Sequence, residues 1–135
     1  MRKLSLFSFF SGSGFLDLGF EMSGYRICFV NEIKQSFLDA YKYSREKMNL
    51  SHPKYGYFLS NINCYLDENK EDLQKLVDTE KKLGNLVGFI GGPPCPDFSI
   101  GGKNKGRHGD NGKLTEVYFE LINTIRPDFF LFENV

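Results

Sequence analysis

LSLFSFFSGSGFLDLGFEMSG, residues 4–24, decides the fold. Leu4 to Phe10 carries Phe and Leu on both faces, as a strand covered on both sides must. The run stops at Ser11-Gly12-Ser13-Gly14. Apolar residues then recur at Phe15, Leu18 and Met22, in steps of three and four with Asp17 and Glu21 among them, until Ser23-Gly24 closes the segment. That spacing predicts a helix ended by glycine. A strand, a glycine-rich turn and a helix make half of a parallel βαβ unit.

The alternation continues along the chain. Arg26 to Val30 reads as a second strand ending at Asn31-Glu32, and Gln35 to Lys47 as a helix with Phe37, Ala40 and Tyr41 on one side. Tyr55 to Leu59 reads as a short third strand. Asp67 to Lys82 is highly charged, with a thin apolar stripe at Leu73, Leu76 and Val77, and predicts a solvated surface helix. Leu86 to Ile90 forms the fourth strand. Leu114, Val117, Tyr118, Leu121, Ile122 and Ile125 mark the next helix, which Pro127 stops. Asp128 to Phe132 makes the fifth strand, followed by Glu133-Asn134-Val135. Crossovers of this length join parallel strands in a right-handed sense, so every strand ends at the same edge of the sheet. The expected class is α/β, a mostly parallel sheet with helices on both faces.

Bulk properties narrow the function. At 135 residues, 41% hydrophobic and 25% charged, the chain is one domain's worth of ordinary globular protein. Lys plus Arg equals Asp plus Glu at 17 each. A chain-wide positive field for nucleic acid is therefore excluded, and any such binding must be local or supplied by another segment. Neither a signal peptide nor a run of the ~18 apolar residues of a membrane span is found, so a cytosolic location without membrane association is expected. Cys28, Cys64 and Cys95 lie far apart and form no C-x-x-C pair. This argues against a disulfide framework and against a metal site.

Ligands of open parallel sheets bind outside the carboxyl ends of the strands, where this chain collects SGSG, NE, GGPPC and EN. The SGSG turn lets a ligand approach the backbone. It is neither the dinucleotide fingerprint, which needs glycine where Asp17 stands, nor a P-loop. Glu32 stands where a carboxylate can accept from both hydroxyls of a ribose. An ordinary turn and a solvated carboxylate explain these two features equally well. Cys95 sits in a loop stiffened by prolines and glycines, an odd place for a thiol that merely packs, although a buried inert thiol stays open as a reading. A C-x5-R phosphate loop fails at Gly101, and a zinc deaminase motif fails at Phe98. Glu133 ends the strand expected beside the one before Cys95. A nucleophile and a proton donor beside a ribose site suit covalent activation of an electron-poor ring followed by group transfer.

Taken together, these motifs resemble the C5-cytosine DNA methyltransferases: F-x-G-x-G at Phe10 to Gly14, Asn31-Glu32, G-G-P-P-C with F-S at Gly91 to Ser99, G-x-L at Gly112 to Leu114, and R-P followed by E-N-V at Arg126 to Val135. The resemblance implies a Rossmann-like methyltransferase fold holding S-adenosylmethionine. The cofactor would meet Phe10, Gly12, Ser13, Gly14, Phe15, Asn31, Glu32, Asn61, Ile62, Pro93 and Leu114. Asn61 replaces the family's aspartate as acceptor for the adenine amine. The resemblance further implies double-stranded DNA with a flipped cytosine, Cys95 attacking C6, and protonated Glu133 bonding the ring. Ser99, Lys103, Lys105 and Arg107 are the DNA-contact candidates, the three cations lying in a loop that reads equally well as merely solvated.

The chain departs from the family pattern at Pro96 and Asp97, where glutamine usually follows the P-P-C motif. Residues 1–135 read as the cofactor-binding and catalytic part of the domain, with about five strands and without the later strands or the target-recognition domain. The expectation is a fragment, or one subunit paired with a complementary C-terminal chain, inactive alone and acting in a prokaryotic restriction-modification setting at the nucleoid. A degenerate module that binds cofactor or a partner without turnover is the alternative. A cysteine hydrolase based on His108 is a remote third.

Overall fold

The computed structural model describes residues 2–94 and 110–134. Buried apolar runs form strands β1 (Leu4–Phe9), β2 (Arg26–Glu32), β3 (Tyr57–Leu59), β4 (Leu86–Gly91) and β5 (Phe129–Phe132). Between them lie helices α1 (Phe15–Met22), α2 (Gln35–Lys47), α3 (Lys70–Lys82) and α4 (Asp110–Ile125), with a 3-10 turn at Ile62–Leu66 before α3. All pairings are parallel and the order is β3-β2-β1-β4-β5. This is the expected Rossmann-like α/β sheet, and its order reverses between β1 and β4, the switch point at which such sheets bind ligands.

Helices cover both faces. Leu6, Ile27, Val30, Leu38, Tyr41 and Ile90 form the core under α1 and α2. Phe7, Phe9, Phe29 and Phe89 meet Leu73 and Val77 of α3 and Tyr118, Leu121 and Ile125 of α4 on the other face. Ring centroids there lie 5.4 Å apart for Phe7 and Phe29 and 4.9 Å for Phe9 and Phe89, within the range of favourable aromatic pairs. Gly88 lets β5 close in, since a Cβ there would overlap the Phe129 ring.

Several boundaries and faces differ from expectation. β1 stops at Phe9 because Phe10 takes φ 52°, and β2 continues through Asn31 and Glu32. On α1 two of the three periodic apolar residues face solvent: Phe15 is 85% and Met22 82% exposed, while Leu18 is half-buried and Asp17 is buried. On α2, Phe37 and Ala40 lie outside and Leu38, Tyr41 and Arg45 inside. On α3, the helix read as solvated, Glu80 is fully buried. In each case the buried polar group finds a partner on another element, which local periodicity cannot report.

Glu80 has the densest set of such partners. Its Oε2 accepts from Ser5 Oγ, Arg26 Nη2 and Asn85 Nδ2, each at 2.8 Å. Oε1 accepts from Lys54 Nζ at 2.5 Å and Tyr55 OH at 2.7 Å. Burial pushes this carboxyl up, but the donors, Lys54 foremost, outweigh it and hold it at about 2. The cluster joins α3, β1, β2 and the segment before β3 at the strands' N-terminal end, opposite the candidate site.

Candidate active site at the strand tips

A cavity of about 290 Å³ opens at the carboxyl ends of β1, β2 and β4. Its floor begins at Phe10, whose left-handed backbone costs a non-glycine residue on the order of 1–3 kcal/mol and places it on the cavity wall. The Phe10 ring meets Tyr118 of α4 edge-on at 6.0 Å. Glu32 is nearly buried. Its Oε2 accepts the Gly12 N–H at 3.0 Å and its Oε1 the Lys34 N–H at 3.2 Å. A carboxylate oxygen takes more than one donor, so both oxygens retain lone pairs for adjacent ligand hydroxyls.

Asn31 points its amide away from that task. Nδ2 donates to the Phe58 carbonyl, the Ser60 carbonyl and Ser60 Oγ, all at 3.0 Å, so this side chain anchors the loop after β3. Asn61 Oδ1 accepts the Asn63 N–H at 3.0 Å and caps the 3-10 turn. One lone pair of its carbonyl is left for a ligand. Ile62 and Leu114 complete an apolar wall.

Phe10, Gly12, Asn31, Glu32, Asn61, Ile62 and Leu114 thus line one cavity. Ser13, Gly14 and Phe15 line a second one of about 110 Å³, between α1 and α2. Pro93 is buried and is absent from both walls, while Pro94 and Gly92 line the larger cavity. Ile33, Lys34, Phe37 and Ser60, which no motif marked, also stand on that wall. Lys34 Nζ stands 5.2 Å above the Phe37 ring, an i, i+3 pair that could have been found as a polar–aromatic pair just after the β2 tip.

Glu133 follows β5. Its N–H donates to the Gly91 carbonyl at 2.9 Å, and a Cβ built on Gly92 would stand 2.5 Å from Glu133 Oε2. The carboxylate therefore rests on the bare Cα of Gly92, at the foot of the Pro93-Pro94 segment. Tyr118 packs against Gly91 and donates its hydroxyl to the Leu131 carbonyl at 2.9 Å, fastening β4 and β5 together at this end. Cys95, Ser99, Lys103, Lys105 and Arg107 lie outside the described residues.

The family profile described as C-5 cytosine-specific DNA methylase matches residues 4–135. The chain belongs to that family. It is 60% identical over 135 residues to "Type II methyltransferase M.NmeDI" of Neisseria meningitidis serogroup C, a match covering 99% of this chain and 32% of the relative. It is 33% identical over 132 residues to "Type II methyltransferase M.FnuDI" of Fusobacterium nucleatum, covering 98% of this chain and 32% of that one. "DNA (cytosine-5-)-methyltransferase M.ApeKI" of Aeropyrum pernix is 35% identical over 143 residues, covering 100% of this chain and 29% of its own length. The chain spans about a third of the length of these curated relatives. Among its described residues, no helix is long and apolar enough to cross a membrane.

Proposed function

We propose that this chain is the cofactor-binding and nucleophile-bearing part of a DNA (cytosine-5-)-methyltransferase that uses S-adenosylmethionine. The observation that carries the reading is the seat of Glu133 on Gly92, beside a cavity whose wall includes Glu32. Cys95 follows Gly92 by three residues, a tether of at most about 11 Å. Two prolines within it restrict the backbone further.

The cavity suits the cofactor. Its volume is close to the lower end of the ~300–1,000 Å³ usual for small-molecule sites. Glu32 would accept from the ribose hydroxyls, Phe10, Ile62 and Leu114 would pack on the nucleoside, and Asn61 would accept from the adenine amine. When bound, S-adenosylmethionine supplies an electrophilic methyl group.

Cys95, as thiolate, forms a bond to C6 of a cytosine turned out of the duplex, where the ring is in reach. Protonated Glu133 donates to the ring N3, so that charge pushed into the ring by sulfur is stabilised where it develops. The electron pair then resides at C5, which would take the methyl group as its bond to the sulfonium breaks, leaving a neutral thioether. Loss of the C5 proton to solvent would re-form the double bond and expel the thiolate, with Glu133 keeping its proton. Ser99, Lys103, Lys105 and Arg107 would contact the phosphates of double-stranded DNA. The greater length of the relatives supports a further proposal: DNA target choice and full turnover reside in additional polypeptide, joined to this chain or supplied as a complementary one.

Trapping tests the reading. A duplex with 5-fluorocytosine at the target blocks the final proton loss, so incubation with S-adenosylmethionine and the complementary C-terminal polypeptide should leave a denaturation-resistant protein–DNA adduct. The adduct should vanish in Cys95→Ser. An adduct that survives that substitution, or none from an assembly that binds both DNA and cofactor, refutes the proposed chemistry.

A further inference from the structure

Asp17 is a buried carboxyl that the proposed chemistry does not use. It is 1% exposed, and it ties three elements together. From the first turn of α1 its Oδ1 accepts from Ser8 Oγ of β1 at 2.7 Å, and its Oδ2 accepts from Tyr41 OH of α2 at 2.6 Å. The Tyr41 ring lies flush on Gly14, where a Cβ would stand 2.7 Å from two ring carbons. Gly14 in turn donates its N–H to the Ser11 carbonyl at 3.1 Å, and Gly12 donates its own to Glu32 at 3.0 Å. The glycine turn is thus held from the cavity side by Glu32 and from behind by Tyr41, which Asp17 holds in place.

Burial pushes the Asp17 carboxyl up to about 6, against the pull of the Tyr41 and Ser8 hydroxyls. Glu21 of α1 adds to the rise and Arg45 of α2 opposes it, and those two pair with each other at 2.5 Å. A carboxyl raised in the folded state contributes its stability at low pH and loses it as pH rises through about 6. Near neutrality the ionised group therefore weakens the fold, which argues for a role other than stability.

We infer that Asp17 is a positioning residue: by pinning Tyr41 against Gly14 it sets the shape of the Ser11–Gly14 turn and, through it, the affinity of the cavity for its nucleoside cofactor. This rests on the cofactor reading proposed above. Ionised, Asp17 accepts both hydroxyls. Once protonated, its own O–H needs an acceptor, one hydroxyl must turn round, and the brace on Tyr41 loosens.

The test is calorimetric titration of the chain with S-adenosylhomocysteine from pH 7.5 to 5, alongside thermal melts, for wild type, Asp17→Asn and Tyr41→Phe. Wild-type affinity should fall roughly three- to tenfold as pH drops through the Asp17 transition. Asp17→Asn should bind about tenfold more weakly at pH 7.5, as expected for loss of a charge-assisted brace. Its melting temperature should equal or exceed that of wild type, and its affinity should lack the wild-type pH step; the ratio of the two proteins cancels titration elsewhere. Tyr41→Phe removes the hydroxyl through which Asp17 acts, so it should bind about as weakly as Asp17→Asn at pH 7.5 and lack the wild-type pH step, a readout that stands even if Asp17→Asn does not fold. Wild-type affinity and pH dependence in Asp17→Asn or in Tyr41→Phe overturns the inference while leaving the cofactor reading intact. Failure of the wild type to bind at any pH overturns both.

Discussion

Replacing Glu80 by glutamine keeps the size of the side chain and removes its charge. Five donors converge on the carboxylate: Ser5, Arg26, Lys54, Tyr55 and Asn85. The substituted side chain would turn an amide N–H₂ toward at least two of them, and Lys54 and Arg26 would lose their counter-charge. The magnitude follows from the carboxyl's displacement from 4.5 to about 2. A displacement of that size corresponds to about 3 kcal/mol, at the low end of the ~3–5 kcal/mol typical of breaking a buried pair. The sign is that of a depressed acid: the stabilisation is complete above the unfolded value and disappears as pH falls through about 2. Urea denaturation should therefore find Glu80→Gln about 3 kcal/mol less stable than wild type at pH 7, with the gap narrowing to roughly half of that at pH 3. A gap under about 1 kcal/mol at pH 7, or one that does not change with acid, would show that the cluster does not act as a charged clamp.

Other substitutions probe the cavity and its turn. Gly92→Ala puts a methyl group 2.5 Å from Glu133 Oε2, so reaching ordinary contact at 3.4 Å moves the carboxylate by 3.4 − 2.5 = 0.9 Å. A misplacement of about 1 Å predicts a trapping rate lower by about 100-fold with a nearly unchanged melting temperature, whereas an unaffected rate would remove Glu133 from the reaction. Glu32→Gln sets an amide N–H₂ against the Gly12 or Lys34 N–H. Affinity for S-adenosylhomocysteine by calorimetry should fall about 10- to 100-fold, and equal affinity would refute the proposed ribose role of Glu32. Gly14→Ala meets both the Tyr41 ring at 2.7 Å and a backbone at φ +94°, while Gly12→Ala at φ +55° meets open space. Denaturation should rank Gly14→Ala as costing about 2–4 kcal/mol and Gly12→Ala about 1–2, and the reverse order would contradict the packing described.

The element order and the parallel sheet were legible because each buried strand is apolar along its length and each helix ends in a glycine, a proline or a charged turn. The strand tips were legible for a related reason. Glycine before a helix, an acid at the last residue of β2 and a glycine–proline run after β4 all sit where a chain leaving a parallel sheet turns back, and those turns share one edge. The turns at the strand tips singled out Gly12 and Glu32, while Phe10, Asn61, Ile62 and Leu114 were implied only by the resemblance to the methyltransferase family; all six line one cavity.

Which way side chains point was another matter. The apolar spacing of Phe15, Leu18 and Met22 suggested a buried face, yet Asp17 lies inside because Ser8 and Tyr41 satisfy it there. Glu80 and Arg45 are buried for the same reason, their partners coming from four other segments and from Glu21. Ser13, Gly14 and Phe15 adjoin Gly12 in sequence but line a different cavity, since the tight turn sends successive residues to opposite sides.

By itself, then, the order of residues determined the alternation of elements, their parallel course and the set of groups delivered to one sheet edge, all consequences of local conformational preference and chain connectivity. Tertiary structure alone decided which polar groups could enter the core, which wall each turn residue joined and how closely Glu133 settles on Gly92. Those outcomes depend on hydrogen-bond partners and van der Waals contacts between segments remote in sequence, and such partners exist only once the sheet has assembled.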